Sequence, residues 1–389
     1  MNRDGKQQTI MRTKPAGQHI SLPASYNKQQ ENMMDNKKTT EQEQILPEFD
    51  TTLVAPFPYF GGKRKIASLV WEYLGDPKTY IEPFFGSGAV LLRRPPTEHK
   101  KIYEIVNDKD GYICNVWRSI EFSPEETARW CDWPVNHIDL HARRKELIKN
   151  ETCLVENLLA DPKWHDPVLA GYWIWAASCW IGGGLTRQKE MNTSEEGLPN
   201  KRPHLTCDCG VVQCGYTKKK GLSAPRPHLT DDRGTSGSGS VYEWMYALHR
   251  RLRNVKVVCG DWKRVCGGNW QDDAGIVGIF FDPPYSSQRD RNIYHCDDMD
   301  VAKEVEQWCL ERGEKPTYRI VVAGYDDEHQ RLVKNGWRVY AWKNNVGYTS
   351  AKGKITNSKV NRFRERLFIS PHCLSRNLYE RNCKNRKPV

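Results

Sequence analysis

The chain has 389 residues and carries 59 Lys and Arg against 48 Asp and Glu, a formal net charge of +11. That length suits two or three structural units, and an apolar content of 38% can supply a core for each. A mean hydropathy of −0.75, with no apolar run approaching ~18 residues, excludes a membrane-spanning helix. The opening residues lack the apolar stretch of a secretory signal, so the expectation is a soluble, cytoplasmic protein with no membrane partner.

The excess of positive charge biases the chain toward polyanions, because neutralised phosphates release counterions on contact. Thirteen cysteines, an odd and scattered set, read as reduced core side chains rather than a disulfide framework. The 14 Trp and 17 Tyr offer flat faces that either fill cores or stack on bases.

Residues 1–52 are polar and rich in Gln, Asn, Lys and Glu, and cannot bury enough surface to offset ordering entropy; a disordered tail is expected. Residues 373–389 read as a second, basic tail. Order begins near Val54. The glycines after Tyr59 allow a tight turn, and Ile66, Leu69, Val70 and Tyr73 then fall at helical spacing. Thr79 to Phe85 predicts a first strand, Ile102 to Val106 a second, Val255 to Val258 a third and Gly275 to Phe281 a fourth. Arg319 to Ala323, Trp337 to Trp342 and Arg366 to Ile369 complete seven.

Strands alternating with helices predict an α/β fold: a doubly wound, mostly parallel sheet covered on both faces. From Ile120 to Asn254 the pattern breaks into a Trp-rich helical region and then a Gly/Ser/basic loop. The expectation is therefore a catalytic unit of residues 53–119 and 255–372, interrupted by an inserted, mainly helical and loop domain at 120–254.

Two constellations sit where strands end. In Glu82-Pro-Phe-Phe-Gly-Ser-Gly88 a glycine loop after a strand lets the backbone approach a ligand, and Asp108, 22 residues beyond Gly86, ends the next strand where a carboxylate can grip ribose hydroxyls. The spacing fits a nucleoside-binding βαβ unit. The incomplete dinucleotide fingerprint disfavours NAD, and the lack of a Walker lysine disfavours ATP. In Ile279-Phe-Phe-Asp-Pro-Pro-Tyr285 an apolar strand delivers Asp282 into a rigid turn of Pro283 and Pro284, followed by the Tyr285 ring. Prolines donate no hydrogen bond, so the carbonyls of Asp282 and Pro283 are available to a ligand. A carboxylate, carbonyl acceptors and an aromatic face together suit a planar amino group on a base. Asp261 is expected to close the third strand beside the same site.

With these motifs in place the chain resembles the Dam-like DNA adenine methyltransferases. The resemblance rests on Pro-Tyr-Phe-Gly-Gly-Lys63, Tyr-Ile-Glu-Pro-Phe-Phe-Gly-Ser-Gly88, Asn107-Asp108, Asp-Pro-Pro-Tyr285, Ala-Gly-Tyr325, Gly336-Trp337 and Glu365-Arg-Leu-Phe-Ile-Ser-Pro371. Their order is like the alpha arrangement of amino methyltransferases. The resemblance implies a Rossmann-like methyltransferase sheet, S-adenosylmethionine as cofactor and double-stranded DNA as partner, in a monomer or weak dimer of a bacterial or phage-infected cell.

It also implies roles. Tyr59, where relatives often carry Trp, would line the cofactor pocket, and Lys63 would reach the cofactor carboxylate or a backbone carbonyl. Glu82, Phe85, Gly86 and Gly88 would wrap the methionine part, and Asp108 would accept from the ribose. Asp282, with Pro283 and Pro284, would face the cofactor and the target amine, and Tyr285 would stack on the extruded adenine. The same chemistry would serve a cytosine amino group, and a chain with the fold but no activity would still bind DNA.

Residues 120–254 sit where this family places target recognition. Tyr172-Trp-Ile-Trp175 and Trp180 read as core. The run from Arg187 to Arg233 is basic enough to follow phosphates. His204, Cys207, Cys209 and Cys214 raise zinc, but their spacing lacks the paired knuckles of common zinc sites, and no metal is assigned.

Overall fold

The computed structural model describes residues 50–59, 61–180, 184–186, 199, 241–285, 300–342 and 364–375, all within the unit that begins at Leu46. Their elements run in chain order α1 (Ala67–Leu74), β1 (Thr79–Glu82), β2 (Tyr103–Asp108), α2 (Gly111–Phe122), α3 (Pro124–Cys131), α4 (His137–Ala160), α5 (Pro167–Cys179) and α6 (Val241–Leu252). They continue with β3 (Val255–Cys259), α7 (Lys263–Cys266), β4 (Val277–Phe281), α8 (Val301–Arg312), β5 (Tyr318–Tyr325), α9 (Gln330–Lys334), β6 (Arg338–Ala341) and β7 (Glu365–Ile369). The expected strands are all present.

The strands form one seven-stranded sheet in the order β3-β2-β1-β4-β5-β7-β6. Neighbours from β3 to β5 pair in parallel, whereas β7 runs antiparallel to β5 and β6. This is the doubly wound, mostly parallel Rossmann-like class expected of a methyltransferase. Chain order reverses between β1 and β4, which places a crevice at their carboxyl ends.

Strand periodicity explains how the sheet is covered. Successive side chains point to opposite faces, so Tyr80, Val106, Phe280, Val321 and Leu367 enter one apolar cluster. Their neighbours Ile81, Ile105, Phe281, Val322 and Phe368 enter the other, with Trp262 and Trp308. β4 is buried along its whole length, as a strand flanked by helices on both sides must be.

Local chemistry sets the helix starts. Asp110 caps α2 by accepting from Tyr112 N–H, and Asn136 caps α4 through Ile138 and Asp139. Asp166 caps α5 ahead of Pro167 at its first turn.

The helices of the 120–254 stretch pack on α2 and on one another, and their apolar side chains join the cluster on one face of the sheet. Ile174, Trp175, Trp244 and Leu252 belong to the same cluster as Leu74 and Val106. Trp244 Nε1 donates to the Val54 carbonyl at 2.9 Å. Arg251 of α6 reaches Glu104 of β2 through two bonds of 2.7 and 2.8 Å. Trp173 and Trp175 are buried, in keeping with their reading as core.

At the far end the packed body runs on through Leu374, whose N–H donates to Tyr73 at 2.9 Å. All eight described cysteines are free and six are buried. Among the described residues no helix is long and apolar enough to cross a membrane. The basic run, the zinc-like His204–Cys214 stretch and nearly all of the two expected tails lie outside the described residues.

Candidate active site at the carboxyl edge of the sheet

Sheet register brings Glu82, Asp108, Asp282 and Tyr325 to one edge, at or just past the ends of β1, β2, β4 and β5. The glycine loop follows β1. Gly86 and Gly88 have φ of +47° and +61°, in the left-handed region that side chains with a Cβ disfavour. Close approach reinforces the choice: a Cβ on Gly86 would lie 2.5 Å from the Tyr59 ring, and one on Gly88 would lie 2.6 Å from the Phe85 ring. Tyr59 is thus laid directly on the loop.

Phe85 is buried against Trp117, with ring centroids 5.2 Å apart, so its side chain supports the loop from below. Trp117 also donates from Nε1 to the Gly86 carbonyl at 2.9 Å. A sequence motif gives no sign of that anchor, because Trp117 lies on a helix beyond β2.

Asp108 closes the loop from the other side. Its Oδ2 accepts from Gly86 N–H at 2.7 Å and its Oδ1 from Asp110 N–H at 2.9 Å. Enclosure by protein, with Asp110 adding repulsion, pushes the carboxyl up to about 7 against the backbone donors that pull it down. The residue keeps partial exposure at the edge. Asn107 fixes the surrounding loops, donating to the carbonyls of Pro83 and Gly260 at 3.0 Å each. Its own Oδ1 is buried with no hydrogen bond among the described residues. Asp261, also on this edge, is exposed and caps its own turn through Lys263 N–H at 2.9 Å.

Glu82 is buried, and one oxygen, Oε2, accepts from both the Tyr80 hydroxyl (2.9 Å) and Leu91 N–H (3.1 Å). Burial drives its carboxyl up to about 8; those two donors oppose the shift, and the charge of Asp282 adds to it.

The Asp-Pro-Pro-Tyr turn is joined to the Gly-Gly-Lys63 segment by a contact that sequence reasoning missed. Lys63 is only 7% exposed, and its Nζ lies 2.8 Å from Asp282 Oδ1 while donating to the Gly61 carbonyl at 2.7 Å. The expected reach to a backbone carbonyl is present, and the ion pair is additional. The same ammonium stands 5.2 Å from the Tyr285 ring centroid. Tyr285 is buried with Tyr325 beside it, ring centroids 4.6 Å apart. Pro283 is buried and Pro284 half-buried.

The set fits the cofactor that the motifs imply. The two left-handed glycines leave room that a Cβ would fill, and acidic groups surround the loop, as a ligand bearing a sulfonium and an ammonium requires. Among the described residues no group of His, Cys, Asp and Glu is arranged to hold a metal ion.

Residues 59–132 match the family described as D12 class N6 adenine-specific DNA methyltransferase. That stretch holds Tyr59, Lys63, the glycine loop and Asp108, and its family is the one to which the motifs pointed. No curated protein matches the chain.

Proposed function

We propose that the chain is a site-specific DNA methyltransferase that uses S-adenosylmethionine to methylate the N6 amino group of an adenine flipped out of duplex DNA. The observation that carries this reading is the Lys63–Asp282 contact. It joins the matched segment to the Asp-Pro-Pro-Tyr turn, so that a nucleoside cradle and an amine acceptor share one sheet edge.

Glu82, the backbone of Gly86 and Gly88, Tyr59 and Asp108 would hold the cofactor, with Asp108 accepting from its ribose. When bound, the cofactor supplies an electrophilic methyl group on a sulfonium, which needs no metal.

The chain's own residues then act on the base. Adenine's amino nitrogen is a weak nucleophile because its lone pair is delocalised into the ring. Asp282 and the Pro283 carbonyl accept its two N–H groups, which favours a pyramidal nitrogen and stabilises the positive charge that develops on it. Lys63 engages Oδ1 of Asp282, which leaves Oδ2 to accept the amine hydrogen bond in this reading. The extra proton leaves the nitrogen after transfer, so no separately tuned base is needed. Tyr285 stacks on the base once it has been extruded, at a cost of roughly a few kcal/mol. The 120–254 stretch supplies target recognition, its basic run following the phosphates.

Incubating the protein with labelled cofactor and duplexes that contain or lack adenine, then identifying the labelled nucleoside, tests this reading. Label in N6-methyladenine is the expected result. Label in N4-methylcytosine, or DNA binding with no transfer, would overturn it.

A further inference from the structure

Beyond Asp-Pro-Pro-Tyr, the chain commits unusual backbone and buried charge to a second turn. His329 has φ of +55° and is the non-glycine residue with positive φ among the described residues. Few non-glycine residues adopt that conformation, and it persists where the surroundings support it. The turn through Asp326 and Asp327 brings Glu328 back onto the end of β5, where its Oε2 accepts from Tyr325 N–H at 2.8 Å, and His329 then leads the chain into α9. Glu328 N–H in turn donates to the Tyr325 carbonyl at 3.0 Å. Both Glu328 and His329 are buried.

The imidazole lies on Gly324, where a Cβ would come within 2.8 Å of Cδ2. Its far side meets Phe368 with centroids 5.3 Å apart. Arg364 stands 4.9 Å from the Tyr325 ring and is itself held by Asp326 at 3.0 Å and by Asp327. The Tyr325 ring so gripped is the one that meets Tyr285. A plain strand end needs none of this apparatus.

We infer that Glu328 and His329 are positioning residues that fix Tyr325 against Tyr285, making the two rings a preset wall for the target base. This deepens the proposed function and rests on it. Tyr325 ends β5, which β4 separates from β1 and its glycine loop, so loosening Tyr325 is expected to act on DNA more than on the cofactor.

The test uses the full chain, plasmid DNA free of methyladenine as substrate, and cofactor affinity from tryptophan fluorescence. Glu328→Leu removes the acceptor, whereas Glu328→Gln keeps a carbonyl oxygen that can take the same N–H. A lost charge-assisted hydrogen bond predicts a fall of about tenfold in kcat/KM for DNA with Leu. Recovery to within about threefold is expected with Gln, and an unchanged cofactor Kd with both. Should Glu328→Leu fail to fold, His329→Gly carries the same test, since glycine accepts the left-handed backbone while losing the ring that sits on Gly324. Equal changes in the DNA and cofactor parameters, or a Gln variant as impaired as Leu, would overturn the inference alone. Absence of methyl transfer by the unsubstituted chain would overturn the functional reading and the inference together.

Discussion

Replacing Asp282 by Asn is the obvious test of catalysis, and the structure says that it is not a silent one. At 2.8 Å and an effective dielectric of about 20, the Lys63–Asp282 attraction is roughly 6 kcal/mol before desolvation is counted. The net value is far smaller, because both charges had to leave water. The two sides are unequal: Asp282 is 22% exposed and Lys63 only 7%. Asp282→Asn therefore strands an ammonium that keeps the Gly61 carbonyl and the Tyr285 face, at a cost of about 2–3 kcal/mol. Lys63→Met leaves a carboxylate that water can reach, at about 1 kcal/mol. The double variant should cost about 1–2 kcal/mol against about 3–4 for the two single costs added, which gives a coupling of about 1–3 kcal/mol in a double-mutant cycle. Urea unfolding of the four proteins measures it through the shift in midpoint at constant slope. Asp282→Asn and the double variant should both lack turnover, the latter with most of its stability restored. Additivity within about 0.5 kcal/mol would refute the pairing.

Gly86→Ala should weaken cofactor binding by about tenfold or more while the protein stays folded, because its Cβ would meet the Tyr59 ring at 2.5 Å in a left-handed backbone; equilibrium titration reads this. Asp108 holds a proton up to about pH 7, and ribose hydroxyls favour its ionised form. Cofactor affinity should therefore rise with pH through that value and lose this dependence in Asp108→Asn. Burial holds His329 down to about 4 from 6.5, despite the carboxylate of Glu328. The unfolded chain binds the extra proton between those values, so this stability is complete above about pH 6.5 and is lost as pH falls toward 4, by about 3 kcal/mol. Thermal unfolding at pH 7.5 and 5.0, compared with His329→Asn, isolates that contribution. Breaking the buried Arg251–Glu104 pair with Arg251→Met should destabilise by about 3–5 kcal/mol, with partial recovery on adding Glu104→Gln.

What was legible in the sequence was what short-range chemistry writes there. β-branched and aromatic runs such as Ile279-Phe-Phe281 mark buried strands by composition alone, and Gly86 and Gly88 mark a turn by the absence of a Cβ. What was not legible depended on distant packing. Phe85 sits inside a ligand-like motif, yet its ring goes under Gly88 toward Trp117, because α2 crosses there. Arg251 falls in a stretch that reads as separate from the sheet, but its guanidinium is spent on Glu104 in the core. The motif strings name Asn107 and Tyr325 without hinting that one clamps two loops and the other braces Tyr285. Asp326-Asp327 mark a turn after β5, but they do not show that Glu328 returns to the Tyr325 N–H.

The charge at the edge explains why the two motifs need one another. Glu82, Asp108, Asp110 and Asp282 gather within a few loops, and their repulsion and burial leave Glu82 and Asp108 holding protons near neutrality. Lys63 offsets a single carboxylate of this group, the one assigned to the amine. The ion pair with Lys63 holds the Asp282 side chain in place. A cation seated on the glycine loop would favour ionisation of Glu82 and Asp108 together. Under the proposed function, uptake of a positively charged cofactor at this edge would therefore release protons.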